Sequence, residues 1–403
     1  MSTTRRTLLR GAGFGSLFTA WPFSKLSAAR RGPVKVYEEL GVRPVINFQG
    51  THTTIGASKM WPELHDAMAE ASREYVSLEE LQVKAGERIA KLMGAEAAMV
   101  TTGAAGAITL GTCAVLTGED TSKVRRLPEI TGPKTEVIIQ KAHRNGYDHA
   151  VRNAGVRIVD VENREQFQNA IGPQTAMMYY LGGTSHDWEW ETPIPLEECL
   201  AIAKRAGFPV MVDAANMLPP WENIRKLAAT GVELICLSGG KHMRGPQCSG
   251  ILAGRKDLIR AAWLNSSPHS DALGRPMKAG REEIVGLWLA AEKYSRLDFA
   301  AIDRECAGQA DYLIAQLSKI GGVKAERTPF DRTRRVHRVH VQWDEAAAGL
   351  TTNEMIQRLG EGDPPIVVLR GKPQGIELTV FMNEPGDEKI AARRIKQIFE
   401  KKA

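Results

Sequence analysis

The chain has 403 residues, 43% of them hydrophobic and 25% charged, a balance that suits a globular protein able to bury a large core and excludes intrinsic disorder. The formal net charge is +6, but Arg5, Arg6, Arg10 and Lys25 supply four of those charges before Ala29, and the +2 left over carries no bulk electrostatic signature of nucleic-acid binding. Five cysteines (Cys113, Cys199, Cys236, Cys248 and Cys306) are odd in number and lack metal-type spacing, so they read as small apolar residues, mostly buried, with no disulfide framework or zinc site expected.

In chain order, paired Arg5 and Arg6 precede a moderately apolar stretch over 11–21 and the small residues Ser27-Ala28-Ala29. This order resembles a twin-arginine export signal over 1–29 and predicts a periplasmic location; the apolar run is too short to span a membrane. Residues 44–56 pass from a short apolar run into a polar, Gly-punctuated loop. Its His52 either touches a ligand or satisfies loop backbone groups. Helical periodicity covers 62–73 and 78–93, the second ending at Gly94. A strand at 97–101 then meets the small-residue turn Thr102-Gly103-Ala104-Ala105-Gly106 and a helix running to 116. Backbone amides at such a helix start form a phosphate-sized anion site, although small residues there also serve close packing.

From this point strands and helices alternate. Strands are expected at 136–139, 156–161, 176–180, 209–212 and 234–237, with helices at 143–154, 196–206 and 221–229. That rhythm predicts right-handed crossovers and a mostly parallel sheet covered on both faces, with ligands at the carboxyl ends of the strands. Thr102, His143, Thr184, Asp213, Ser238 and Lys241 all fall at or just past those ends. A helix at 281–294 leads to a smaller α+β unit, with helices at 299–320 and 353–359, strands at 336–341, 366–369 and 376–380, and a terminal helix from 387. The expected division is a signal (1–29), an arm and loop (30–60), a large domain (61–280), and a linking helix with a small C-terminal domain (281–403).

The run Leu234-Ile235-Cys236-Leu237 stops at Ser238-Gly239-Gly240-Lys241, which puts a lysine on a tight turn beyond a buried strand. A lysine forms a Schiff base only as the free amine, and desolvation favours that form. In Val212-Asp213-Ala214-Ala215-Asn216 a carboxylate ends the preceding strand, 28 residues before Lys241. A buried carboxylate there can hold a pyridine nitrogen protonated. Anion turn, strand-end Asp and strand-end Lys, in that order, point to pyridoxal phosphate (PLP).

On these residues, with Gly245-Pro246-Gln247 after the lysine, the chain resembles the selenocysteine synthase branch of the fold-type I PLP enzymes, from about Tyr37 to the C-terminal helix. Gly240 and Ala142-His143-Arg144-Asn145-Gly146-Tyr147-Asp148 look closer to its D-glucosaminate-6-phosphate ammonia-lyase-like members. Selenium transferases of the branch usually carry an Asp where Gly240 stands, an Arg near Ala57 and Ser58, and an extra N-terminal domain for tRNA; this chain shows none of the three.

The resemblance implies an α/β fold-type I architecture with PLP as cofactor. Lys241 would be its covalent anchor and the proton shuttle, Asp213 the partner of the pyridine nitrogen, and His143 the group stacked on the ring. Thr102, Gly103, Ala104 and Ser238 would bind the phosphate and Thr184 the phenolic oxygen. His52 and Arg370 would face the substrate, Arg370 holding its carboxylate unless it forms an ordinary surface salt bridge. The implied partners are a small-molecule amino substrate and at least one further copy of the chain, as a homodimer or higher homo-oligomer. The implied activity is that of a lyase or dehydratase eliminating a β-group and releasing ammonia. The alternatives are a selenium transferase-like enzyme acting on seryl-tRNA and a non-catalytic binding protein.

Overall fold

The computed structural model describes residues 36–183, 193–330 and 334–400. The export segment and Thr184 lie outside them. The chain divides into Met1–Pro44 and Val45–Ala403; the described part of the first holds one short helix, Val36–Glu39.

Twelve strands build two sheets: β1 (Ile46–Phe48), β2 (Ala97–Thr101), β3 (Glu136–Gln140), β4 (Arg157–Val161), β5 (Thr175–Leu181), β6 (Val210–Asp213), β7 (Leu234–Ser238), β8 (Gly250–Gly254), β9 (Val323–Arg327), β10 (His337–Trp343), β11 (Ile366–Arg370) and β12 (Ile376–Val380). The larger sheet has the order β2-β8-β7-β6-β5-β3-β4, parallel except where β8 pairs with β2 and β7. Alternate residues of one strand feed two separate apolar layers: Ile235 and Leu237 join one, Leu234 and Cys236 the other. This double burial explains why the strands read as continuous apolar runs with no alternation.

Local chemistry sets the helix ends. Leu78–Met93 begins at Ser77, whose side chain accepts from the Glu80 N–H, and stops at Gly94 in the left-handed region (φ 79°). The helix expected over 143–154 is instead three short pieces, a 3-10 turn ending at His143, a second at Gly146–Asp148, and one α turn at His149–Arg152. Asn145 breaks it: its side chain accepts from the Tyr147 N–H at 2.7 Å and donates to the His143 carbonyl at 3.1 Å, a local bonding pattern that competes with the helix. Strand β8 and the helix Lys256–Leu264 had no sequence counterpart. Glycines stand at both ends of β8 and interrupt its apolar run. A Cβ on Gly254 would lie 2.0 Å from the Glu233 carbonyl oxygen, so the close approach of β7 and β8 requires glycine there.

The smaller sheet has the order β1-β11-β12-β10-β9, with β1 parallel to β11 through Ile46↔Ile366 and the remaining pairs antiparallel. The helices Phe299–Leu317 and Asp387–Glu400 cover it, burying Leu313, Leu317, Ile395 and Ile398 against Val339, Val341 and Leu378. Among the described residues no helix is long and apolar enough to cross a membrane. Cys113, Cys199 and Cys236 are buried as expected, but Cys248 is exposed on the loop following Lys241.

Candidate active site

Because β2 and β7 both run against β8, the strands β2, β7, β6, β5 and β3 point the same way and end on one rim. Lys241 sits there on a turn closed by three backbone bonds: Gly239 N–H to Ser249 O at 2.8 Å, Gly245 N–H to Gly239 O at 2.9 Å, and Arg244 N–H to Lys241 O at 3.0 Å. Gly240 has no room for a side chain, since a Cβ would approach the Gln247 Cα to 2.5 Å. The Lys241 ammonium donates to Asn216 Oδ1 at 2.8 Å. Burial pulls its pKa below the usual lysine range; the Asp213 charge opposes this and Arg334 reinforces it.

Asp213, the last residue of β6, is held from two sides. The Tyr179 hydroxyl donates to Oδ2 at 2.9 Å and the Ala215 N–H to Oδ1 at 3.0 Å. The Tyr179 phenol is driven well above its ordinary pKa by burial and by the adjacent carboxylate, so it stays a donor. His143 is fully buried, its Nδ1 accepting the Leu181 N–H at 3.3 Å and its ring edge-on to Tyr180 at 4.6 Å. Burial lowers its pKa to about 4, and the other ring nitrogen, Nε2, has no hydrogen-bond partner.

The anion turn expected after β2 forms as the start of the helix Gly103–Thr117, with Gly103 at φ 72°. Neither a capping side chain nor an acidic residue occupies its first turn, so the leading amides keep their capacity for an anion. Gly250, paired with both Thr101 and Ser238, lies so close that a Cβ would come within 2.3 Å of the Gly103 carbonyl carbon. The Gly103 turn and Ser238 therefore both lie against Gly250. Uncapped amides, the unpartnered buried nitrogen of His143, the Asp213 carboxylate and the desolvated Lys241 amine are what a phosphorylated pyridine aldehyde needs, and the residues fit PLP on that count.

Two arginines are buried nearby, Arg334 just ahead of β10 and Arg338 within it. The charge of Arg334 acts on Lys241 and His242, and that of Arg338 on His52 and His242. Arg338 also lies 3.7 Å from Glu377. The His52 side chain is exposed, and its imidazole is held below its usual range by desolvation and by the charges of Lys241 and Arg338. Its loop is tied to the turn by the Ser58 hydroxyl on the Gly240 carbonyl at 2.7 Å. Arg370 is exposed at the end of β11 and bonded to Asn353. Asn216, Tyr179, Arg334 and Arg338 were not assigned from sequence. Asn216 stood within the quoted Asp213 motif and could have been found there; the other three had no local signal, because their roles come from strand pairing and from packing between segments distant in sequence.

The family described as "SelA: L-seryl-tRNA selenium transferase" matches residues 45–296. The chain is 31% identical to the 5'-C-glycyluridine monooxygenase-decarboxylase of a Streptomyces species, covering 90% of this chain and 92% of that protein. It is 28% identical to the D-glucosaminate-6-phosphate ammonia lyase of Salmonella typhimurium, over 91% of this chain and 98% of that one. A solved D-glucosaminate-6-phosphate ammonia-lyase superposes with a TM-score of 0.78 at 28% identity, covering 92% of this chain and 99% of that chain. A serine palmitoyltransferase from S. paucimobilis shares the fold alone, at TM-score 0.59 and 14% identity over 89% and 88%. On the site's geometry and these matches, the chain belongs to the L-seryl-tRNA selenium transferase family and is a PLP-dependent enzyme of fold-type I.

Proposed function

We propose that this enzyme is a lyase acting on a small α-amino acid with a hydroxylated carbon chain, such as an amino-sugar acid. It would remove the α-proton and a β-hydroxyl, and the dehydrated product would take up water and release ammonia, leaving a 2-oxo acid. The observation that carries this reading is Lys241 on its strand-end turn, its pKa lowered by burial and its charge coupled to Asp213, Arg334 and His52. When bound, PLP supplies the electron sink for the pair left by the α-proton. Lys241 Nζ takes that proton. Asp213, fixed by Tyr179 and Ala215, provides the negative charge opposite a protonated ring nitrogen. Arg334 or Arg338, whose charges act on Lys241 and His52, holds the substrate carboxylate in this reading.

The printed names of two relatives, a glycyluridine and a glucosaminate enzyme, share an amino acid joined to a sugar-derived chain. The family description favours a second reading, selenium transfer onto seryl-tRNA. Gly240 argues against it, since the Asp usual in that branch would collide with Gln247 unless the turn opened. We further propose export through Arg5 and Arg6 to the periplasm, which would withhold tRNA, and a homodimer in which a second copy completes the site beside His52.

The test is an assay of the PLP-loaded enzyme with D- and L-serine, D-glucosaminate and its 6-phosphate, following ammonia, 2-oxo acid and dioxygen together. Equal ammonia and 2-oxo acid without oxygen uptake supports the lyase. Oxygen uptake with carbon dioxide release instead assigns an oxidative decarboxylation, and no turnover of any amino acid alongside transfer to seryl-tRNA assigns the second reading.

A further inference from the structure

A recess of about 480 Å³ opens where the helices Leu78–Met93, Glu222–Ala229 and Arg281–Tyr294 meet, and none of the residues assigned to the PLP site lines it. Its volume falls in the range of small-molecule sites. Leu92, Trp221 and Trp288 supply its apolar surface. Trp221 is 2% exposed, and its indole N–H donates to the Leu92 carbonyl at 3.2 Å, which ties the start of the second helix to the end of the first.

Four cations, Arg88, Lys91, Arg225 and Arg296, line the recess with one carboxylate, Glu292, and all four are open to solvent. Arg296 pairs with Glu292 at 2.6 Å; Arg88, Lys91 and Arg225 make no ion pair among the described residues. Neighbouring acids do not answer them. Glu87 pairs with Lys84 at 3.6 Å, and Glu222, one helical turn before Arg225, is not on the wall. A generally basic chain does not explain the surplus, since beyond Ala29 the whole protein carries only +2. Helix ends explain one charge: Lys91 stands in the last turn of its helix, where the exposed carbonyls favour a cation. Arg225 is fourth in its helix, near the positive end, where a cation gains nothing from the dipole. Arg88 lies over the Trp288 ring, 4.8 Å from the centroid, a contact that answers part of its charge and none of its N–H donors.

We infer that this recess is a second ligand site, for a compact anion that carries two or more negative charges on phosphate oxygens. Like charges gathered around one concavity repel one another until a counter-ion meets them. Arginine forks match phosphate oxygens two at a time, and a surplus of three charges calls for more than one carboxylate. A nucleic-acid contact tracks a strip of successive phosphates along a surface, whereas these cations converge on one pocket from three helices. The recess is separate from the Gly103 cradle, so the inference does not depend on which amino acid is the substrate.

Calorimetric titration of the PLP-loaded full-length enzyme with pyrophosphate, phosphate and acetate, at about 0.15 M salt, tests it. Saturable binding of pyrophosphate at one site per chain is expected, with phosphate roughly tenfold weaker and acetate showing none. Arg88→Gln and Arg225→Gln should each weaken pyrophosphate about fivefold, and together at least about twentyfold, while cofactor absorbance is retained. Glu292→Gln, which removes the one acid on the wall, should tighten it about threefold. Arg393→Gln, an exposed position on the terminal helix, controls for net charge and should leave affinity within about twofold. No saturable pyrophosphate binding, binding that survives the Arg88→Gln, Arg225→Gln pair, or an equal loss in Arg393→Gln would overturn the assignment. So would oligouridylate binding that the paired variant abolishes and pyrophosphate does not displace, which would give these cations to a nucleic-acid backbone.

Discussion

Tyr179 on β5 and Asp213 on the adjacent β6 are joined by a 2.9 Å hydrogen bond from phenol to carboxylate, buried beneath the rim that carries Lys241. The bond fixes the carboxylate that would meet a ring nitrogen, and the raised phenol pKa keeps the donor protonated. Tyr179→Phe removes about 1 kcal/mol of orientation and should lower kcat/KM roughly fivefold while cofactor still binds. Asp213→Ala removes the charge itself and should lower kcat by at least about a hundredfold, as losses of an electrostatic partner at a reacting centre do. Steady-state kinetics of both variants checks the order; equal losses would mean that Tyr179 does more than hold Asp213.

Arg338 and Arg370 make opposite predictions. The charge of Arg338 reaches His52 beside Lys241, whereas Arg370 is exposed on Asn353. Loss of a charge-assisted bond to a carboxylate costs about 2–3 kcal/mol, so Arg338→Ala should raise KM roughly 30- to 150-fold. Arg370→Ala should change it less than about threefold, as expected of a surface contact. A large KM effect at Arg370 with none at Arg338 would return the carboxylate to β11.

His143 links the site to pH. Burial holds its pKa at about 4, against about 6.5 in the unfolded chain, so between those values the unfolded state binds a proton that the native state refuses. This contribution to stability is complete above pH 6.5, is lost as pH falls, and levels off below pH 4; over that window it amounts to roughly 3 kcal/mol. Urea denaturation of cofactor-free protein at a series of pH values should show that loss in the wild type, over and above the change in His143→Phe. Parallel pH profiles for the two proteins would show that the ring titrates freely.

Export and assembly are tested together by fractionation and sedimentation. Wild type should be periplasmic with an N-terminus near Arg30, and the combined Arg5→Lys, Arg6→Lys variant cytoplasmic, because the paired arginines are the export determinant in this reading. The purified enzyme should sediment as a dimer or larger. A cytoplasmic wild type with Met1 or Ser2 intact, or a fully active monomer, contradicts the corresponding proposal.

Much of this organisation was legible in the chain. Parallel strands buried on both faces leave long apolar runs, and those runs placed Asp213, Ser238 and Lys241 at strand ends before any geometry was known. Gly94 marked the end of its helix because caps are local. The His143 segment misled because one Asx turn at Asn145 outweighs helical periodicity over a dozen residues. Strand β8 was hidden by its own glycines, which exist to let β7 and the Gly103 turn come close. Arg334 and Arg338 were invisible for a different reason: an arginine just ahead of a strand or within it acquires its meaning only when residues distant in sequence pack beside it.

The account rests on Lys241 as the covalent anchor of the cofactor, and borohydride reduction followed by peptide mass spectrometry tests that most directly. Reduction of the purified enzyme should abolish its visible absorbance and leave a pyridoxyl-phosphate adduct on the peptide containing Lys241 and on no other lysine, while Lys241→Ala should take up none. An adduct on a different lysine, or a reducible imine persisting in Lys241→Ala, would contradict it.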